Sequence, residues 1–295
     1  MASIRERVRN DKRYYYLVYS YKVEGKVKKR ECYLGTSVPE DIERIKAEFM
    51  DEVKRERWFN DFDHIKTGYS EHMKGLPPTA RDKEVETFAT RFTYNTNRIE
   101  GSRLTLMETA ELLERGVTPG GRSIDDVKEA EAHRDAFYEM LEYGKDLSMQ
   151  TVLYFHKRVF ESTKADIAGK LREHPVMISG SKFAPPLPVE VYPLLSEFFK
   201  WYKKAKSKVH PVELAALVHL RLVTIHPFTD GNGRVSRLMM NLVMAKAGFP
   251  MLDIPYEKRG GYYRALERAQ TREEGTIFLH WFFRRYMAQN KRYLS

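Results

Sequence analysis

The chain has 295 residues, 42% of them hydrophobic, enough for a substantial core in one large domain or in a domain with an appendage. Its single cysteine, Cys32, excludes an intramolecular disulfide framework and a cysteine-based zinc site, and leads us to expect a reducing, cytoplasmic compartment. The net charge of +10 favours acidic partners, while the longest apolar stretch, 214–225, is broken by His219 and Arg221 and is too short and polar for a membrane span.

Residues 1–36 hold ten Lys or Arg against four Asp or Glu and show no apolar signal core. Tyrosines and β-branched residues on both sides of Glu24-Gly25 predict a β-hairpin. Two uses of this basic module, 1–60, stay open. Interleaved Tyr and Lys/Arg could grip a nucleic acid, or the module could be a three-stranded structural cap or a contact in a homodimer. Pro39 opens a helix over about 41–59, and Gly68, Gly75, Pro77 and Pro78 predict a linker over 61–82.

From Lys83 the pattern is helical almost throughout, giving a main domain over 83–295. Val85, Phe88, Ala89 and Phe92 line one face of a helix over 83–100. Thr105 caps the next helix, with Glu108 at the capping-box spacing, and further helices are predicted over 124–143 and 150–161. The stretch from Gly169 to Pro186 alternates and carries glycine, which predicts a short β-hairpin. Pro211 starts a helix that is apolar nearly all round and so belongs in the middle of a bundle.

Residues 226–237 then read His-Pro-Phe-Thr-Asp-Gly-Asn-Gly-Arg-Val-Ser-Arg. A base, an acid four residues on, a Gly-Asn-Gly turn and two arginines three apart stand before the apolar positions Val235, Leu238, Met239, Leu242 and Val243, which close on Gly248. Small residues opening a helix leave its first N–H groups free, and the helix dipole adds positive charge there. The pattern reads as a phosphate site serving phosphate transfer or hydrolysis with a base and a metal.

This string resembles in full the signature of the Fic family, enzymes that transfer a nucleotide monophosphate, usually AMP, to a protein hydroxyl. The upstream run Thr96-Asn97-Arg98-Ile99-Glu100-Gly101 resembles the inhibitory motif of the same family. The resemblance implies a mainly α, Fic-type helical bundle with a β-hairpin flap, preceded by the small β-rich module. It implies His226 as general base, Asp230 as the ligand of Mg²⁺ or Mn²⁺, and Gly231, Asn232 and Gly233 as the anion cradle. Arg234 would face the leaving pyrophosphate of substrate ATP and Arg237 the γ-phosphate, with Glu100 pairing with Arg237 to inhibit from the N-terminal side. A target protein would lie along the flap near 175–183. A lysine at the second glycine marks a relative, Doc, that transfers phosphate from an inverted nucleotide; Gly233 implies the normal orientation. Tyr262 and Tyr263 resemble the nucleoside side of the site, or are core. The rival readings are an enzyme that removes AMP, or does both reactions, and a DNA-binding regulator or toxin component carrying the domain.

Overall fold

The computed structural model describes residues 2–23 and 26–294, in two compact units, Met1–His64 and Ile65–Ser295. In the first, β1 (Ser3–Arg9), β2 (Lys12–Val23) and β3 (Lys26–Gly35) form an antiparallel sheet in the order β1-β2-β3. The β1–β2 connection is Asn10-Asp11, both with positive φ, the backbone that a tight two-residue hairpin demands. The expected Glu24-Gly25 turn lies outside the described residues; the strands flanking it do pair, with Tyr19 opposite Arg30. Leu17 is buried with Phe49 and Val53 of α1 (Ile42–Gly75), and Tyr19, Tyr21 and Cys32 pack against them. The sheet thus has its own small core.

The helical unit continues with α2 (Pro78–Ile99), α3 (Leu106–Arg115), α4 (Ile124–Glu142), α5 (Met149–Phe160) and α6 (Pro188–Ala205). It closes with α7 (Pro211–Ile225), α8 (Asn232–Lys246), α9 (Arg259–Thr271) and α10 (Gly275–Asn290). Twelve of the fifteen residues of α8 are buried, which places it at the centre, against α7. α8 ends as predicted at Gly248, with φ +74: Phe249 N–H donates to Met244 and Gly248 N–H to Ala245, the paired bonds of a Schellman stop. Thr105 and Glu108 form the predicted capping box. No helix among the described residues is long and apolar enough to cross a membrane.

Two expectations need correction. The stretch 61–82 is not an irregular linker, since α1 runs through Gly68 to Gly75 and α2 begins at Pro78, five residues earlier than predicted. Gly68 serves packing instead of breaking the helix: a Cβ there would fall 2.3 Å from the carbonyl oxygen of Tyr293. Pro78 sits in the first turn, where a missing N–H costs nothing.

The second correction concerns the flap, which contains no strand among the described residues 171–187. Pro175, Pro185 and Pro186 cannot donate to a ladder. One turn remains, with Ser181 N–H on the Ile178 carbonyl and Gly180 at φ +75. In place of a ladder, the guanidinium of Arg172 ties the two limbs, donating to the carbonyls of His174 (3.2 Å) and Pro186 (2.5 Å).

Candidate active site

α7 stops at His226, whose φ of 51° and ψ of 58° are left-handed, a strained backbone for a residue with a Cβ. Its neighbours hold it there. Arg172 Nε donates to the His226 carbonyl (2.7 Å), and Arg172 N–H donates to that of Pro227 (3.0 Å). Nδ1 of the imidazole lies 3.2 Å from the Val223 carbonyl. A carbonyl only accepts, so the proton sits on Nδ1 and Nε2 keeps a lone pair. Burial pushes the His226 pKa below the ordinary histidine value, with Arg172 acting in the same sense against the Val223 bond, Glu100 and Asp230. The ring is therefore a neutral base at pH 7.

The turn after it is built by mutual clamping. Phe228 N–H donates to Asn232 Oδ1 (2.9 Å), and Asn232 Nδ2 returns a bond to the Phe228 carbonyl (2.8 Å). The Asn232 side chain thus shapes the loop, and what it offers an anion is its main-chain N–H in the first turn of α8. Gly231, at φ +81, would put a Cβ 2.2 Å from the Phe160 ring. His156 braces the loop from α5: its ring stacks on Phe228 at 3.7 Å, and Nε2 donates to the Asp230 carbonyl (3.0 Å) while Nδ1 accepts from Gly169 N–H (2.9 Å). Burial lowers the His156 pKa to about 4, so it stays neutral and keeps both bonds.

Arg237 is almost fully enclosed, at 1% exposure. Its Nε donates to Thr96 Oγ1 (3.0 Å), and Nη2 donates to the Thr96 carbonyl (3.2 Å) and to Glu100 Oε1 (2.6 Å). Nη1 donates to the Tyr262 hydroxyl (3.3 Å). Glu100 is the C-cap of α2, and its carboxylate lies over the start of α8: a Cβ on Gly233 would fall 2.1 Å from Oε1. The structure therefore brings Glu100, Gly233 and Arg237 together at one point. A cavity of about 430 Å³ opens there, lined also by His226, Tyr263 and the flap residues Ile178 to Ser181.

The two tyrosines separate. Tyr262 is buried against His219 (2.9 Å) and Arg237, which makes it a core residue that orients the arginine. Tyr263 is 45% exposed, donates to the Ile99 carbonyl (2.9 Å) and faces the cavity.

Arg234 points elsewhere. Its Nη1 donates to Glu129, and its Nη2 lies 3.2 Å from Asp230 Oδ1. Lys164 Nζ completes the group, 2.6 Å from Asp230 Oδ2 and 2.8 Å from Glu129 Oε1. Burial alone would raise the pKa of both carboxyls, but Arg234 and Lys164 hold them below their ordinary values. Among the described residues no three His, Cys, Asp or Glu cluster as a metal cage. Asp230 nevertheless fits Mg²⁺, which is held by one or two carboxylates plus substrate phosphates. It is an ionised hard-oxygen donor, and a cation, the Lys164 ammonium, already stands between it and Glu129.

Sequence reading missed Glu129, His156, Lys164 and Arg172. Glu129 and His133 had one signal: polar residues four apart on the face of α4 that carries Ala130 and Phe137.

A buried central helix whose N-terminus meets a neutral histidine and an enclosed arginine is suited in charge and geometry to receive an anion. Residues 146–244 match the Fic/DOC family. It is 36% identical over 188 residues to protein adenylyltransferase Fic of Drosophila ananassae, covering 62% of this chain and 37% of that one. It is also 36% identical over 185 residues to protein adenylyltransferase fic-1 of Caenorhabditis briggsae, covering 60% and 36%. The chain thus spans little more than a third of the length of these relatives. Among solved structures it resembles Fic-1 of C. elegans, with TM-score 0.73, 27% identity and coverage of 85% of this chain and 75% of that one. A Fic domain containing signaling protein from Bacteroides thetaiotaomicron gives 0.71, 26%, 78% and 95%.

Proposed function

We propose that the chain is a protein adenylyltransferase that moves AMP from ATP to a Ser, Thr or Tyr hydroxyl and is held back by Glu100. The observation that carries this reading is the meeting of the bare Nε2 face of His226, the first turn of α8 and Arg237 around one cavity. In the reaction His226 Nε2 takes the acceptor's proton as its oxygen attacks the α-phosphorus. The new O–P bond forms as the bond to the β-phosphate oxygen breaks, and pyrophosphate leaves. The N–H groups of the α8 first turn hold the transferring phosphate, and Gly233, which carries no side chain, leaves it room once Glu100 withdraws. Mg²⁺ held by Asp230 would supply positive charge to the α- and β-phosphates. Arg172 sets the base by gripping its carbonyl, and the flap at 175–183 would lay the target segment beside it.

The relatives' names as protein adenylyltransferases support this assignment. Incubation with α-labelled ATP tests it: Glu100→Gly is expected to label itself strongly, and Glu100→Gly with His226→Ala to lose that labelling by about a hundredfold or more. Equal labelling of the two proteins would sink the general-base role.

A further inference from the structure

We propose that Lys164 is the resident counter-cation of the metal seat, and that it exchanges with the divalent cation at Asp230. This deepens the metal role proposed above and rests on it. Lys164 is not a drifting surface lysine. Its N–H donates to the Phe160 carbonyl (2.8 Å), and its own carbonyl accepts from Ile167 (3.1 Å) and Ala168 (3.0 Å), so the backbone is pinned in successive tight turns directly after α5. The same helix carries His156, which holds the Asp230 carbonyl, so one element sets both partners. The ammonium also stands 5.3 Å from the centroid of the Phe160 ring, whose face carries the Arg234 guanidinium at 4.4 Å.

The charges explain what this lysine does. Glu129 and Asp230 supply two negative charges, and Arg234 and Lys164 two positive ones. A divalent cation entering that balanced set finds no net attraction unless one monovalent cation withdraws. Arg234 is buried and anchored on both acids, whereas Lys164 is one-third exposed. Lys164 is therefore the one that yields, and its contact with Glu129 keeps it from being stranded. Displaced from Asp230, the ammonium stays within the same pocket of charge, available to phosphate oxygens. When no metal is present it remains the cation that a bound diphosphate meets. The lysine accordingly lowers metal affinity and raises metal-free nucleotide affinity.

Two measurements on the full chain decide this. Mn²⁺ titrated into the nucleotide-free protein and followed by electron paramagnetic resonance should bind Lys164→Met and Lys164→Gln about fivefold more tightly than wild type, while Lys164→Arg stays close to wild type. With α,β-methylene-ADP, which lacks the γ-phosphate and so does not depend on Arg237, the ratio of Kd in chelator to Kd in Mg²⁺ should rise in Lys164→Met. Unchanged Mn²⁺ affinity in both neutral variants overturns the exchange. If Asp230→Asn loses Mn²⁺ binding while Lys164→Met matches wild type, the metal role stands and the exchange falls. If Asp230→Asn binds Mn²⁺ like wild type, the metal role falls and the exchange falls with it.

Discussion

Arg234 and Arg237 stand three residues apart on one buried helix, yet they are held in opposite ways. Arg234 is tied into a four-member network in which two acids and two cations balance. Arg237 meets a single carboxylate, Glu100, offered from the tip of another helix; its remaining partners, Thr96 and Tyr262, are neutral. The network is expensive to open because each acid serves two cations. The single carboxylate can be withdrawn while Arg237 keeps its neutral hydrogen bonds. We propose that this difference makes one arginine a fixture and the other a switch.

The first way to strain this arrangement is acid. Buried, neutral His133, His156 and His219 surround the arginines, with pKa values lowered to about 3, about 4 and about 3, chiefly by burial. Each is depressed below the unfolded value near 6.5, so the unfolded chain binds more protons between those limits. Stability is fully present above about pH 6.5 and is lost as pH falls toward the folded values. His156 alone should remove about 3 kcal/mol by pH 4. Thermal melts across pH 7 to 4 should show a steep fall, and a flat profile would mean that these histidines are not buried neutral.

Glu129→Gln is expected to come next, costing about 3 kcal/mol by leaving Arg234 and Lys164 with one acid between them. Glu100→Gly should cost less, because Arg237 retains Thr96 and Tyr262. Denaturant titration of both variants checks the order, and a larger loss in Glu100→Gly would reverse the comparison. The smallest effect belongs to Tyr262→Phe, which removes one neutral partner of Arg237 and the partner of His219 Nε2 and should cost about 1–2 kcal/mol in the same titration.

What was legible in the sequence differs between the two arginines for a physical reason. Arg237 and Glu100 sit in compact strings whose small residues and spacing carry the chemistry locally. Glu129 and Lys164 approach Asp230 from α4 and from the turn after α5, and nothing in their local runs separates them from solvated charges: Glu129 stands among Asp125, Asp126, Glu131 and Asp135. The helices themselves were readable from apolar spacing and caps, as Thr105 with Glu108 shows. Glycine and proline were the misleading signals. Gly68 packs a helix against the Tyr293 carbonyl, and the flap prolines forbid the ladder that alternation suggested. The first outcome depends on a partner distant in sequence; the second is local, since the prolines stand in the flap itself.

The switch is tested most directly by the preference of the protein for ATP over ADP, measured by calorimetry on wild type and Glu100→Gly. With Glu100 on Arg237 the γ-phosphate finds no free guanidinium, so wild type should bind the two nucleotides within about twofold of each other, whereas Glu100→Gly should bind ATP about tenfold more tightly than ADP, the worth of one charge-assisted contact. A wild type that already prefers ATP tenfold, or a Glu100→Gly variant that gains no preference, would contradict the lock.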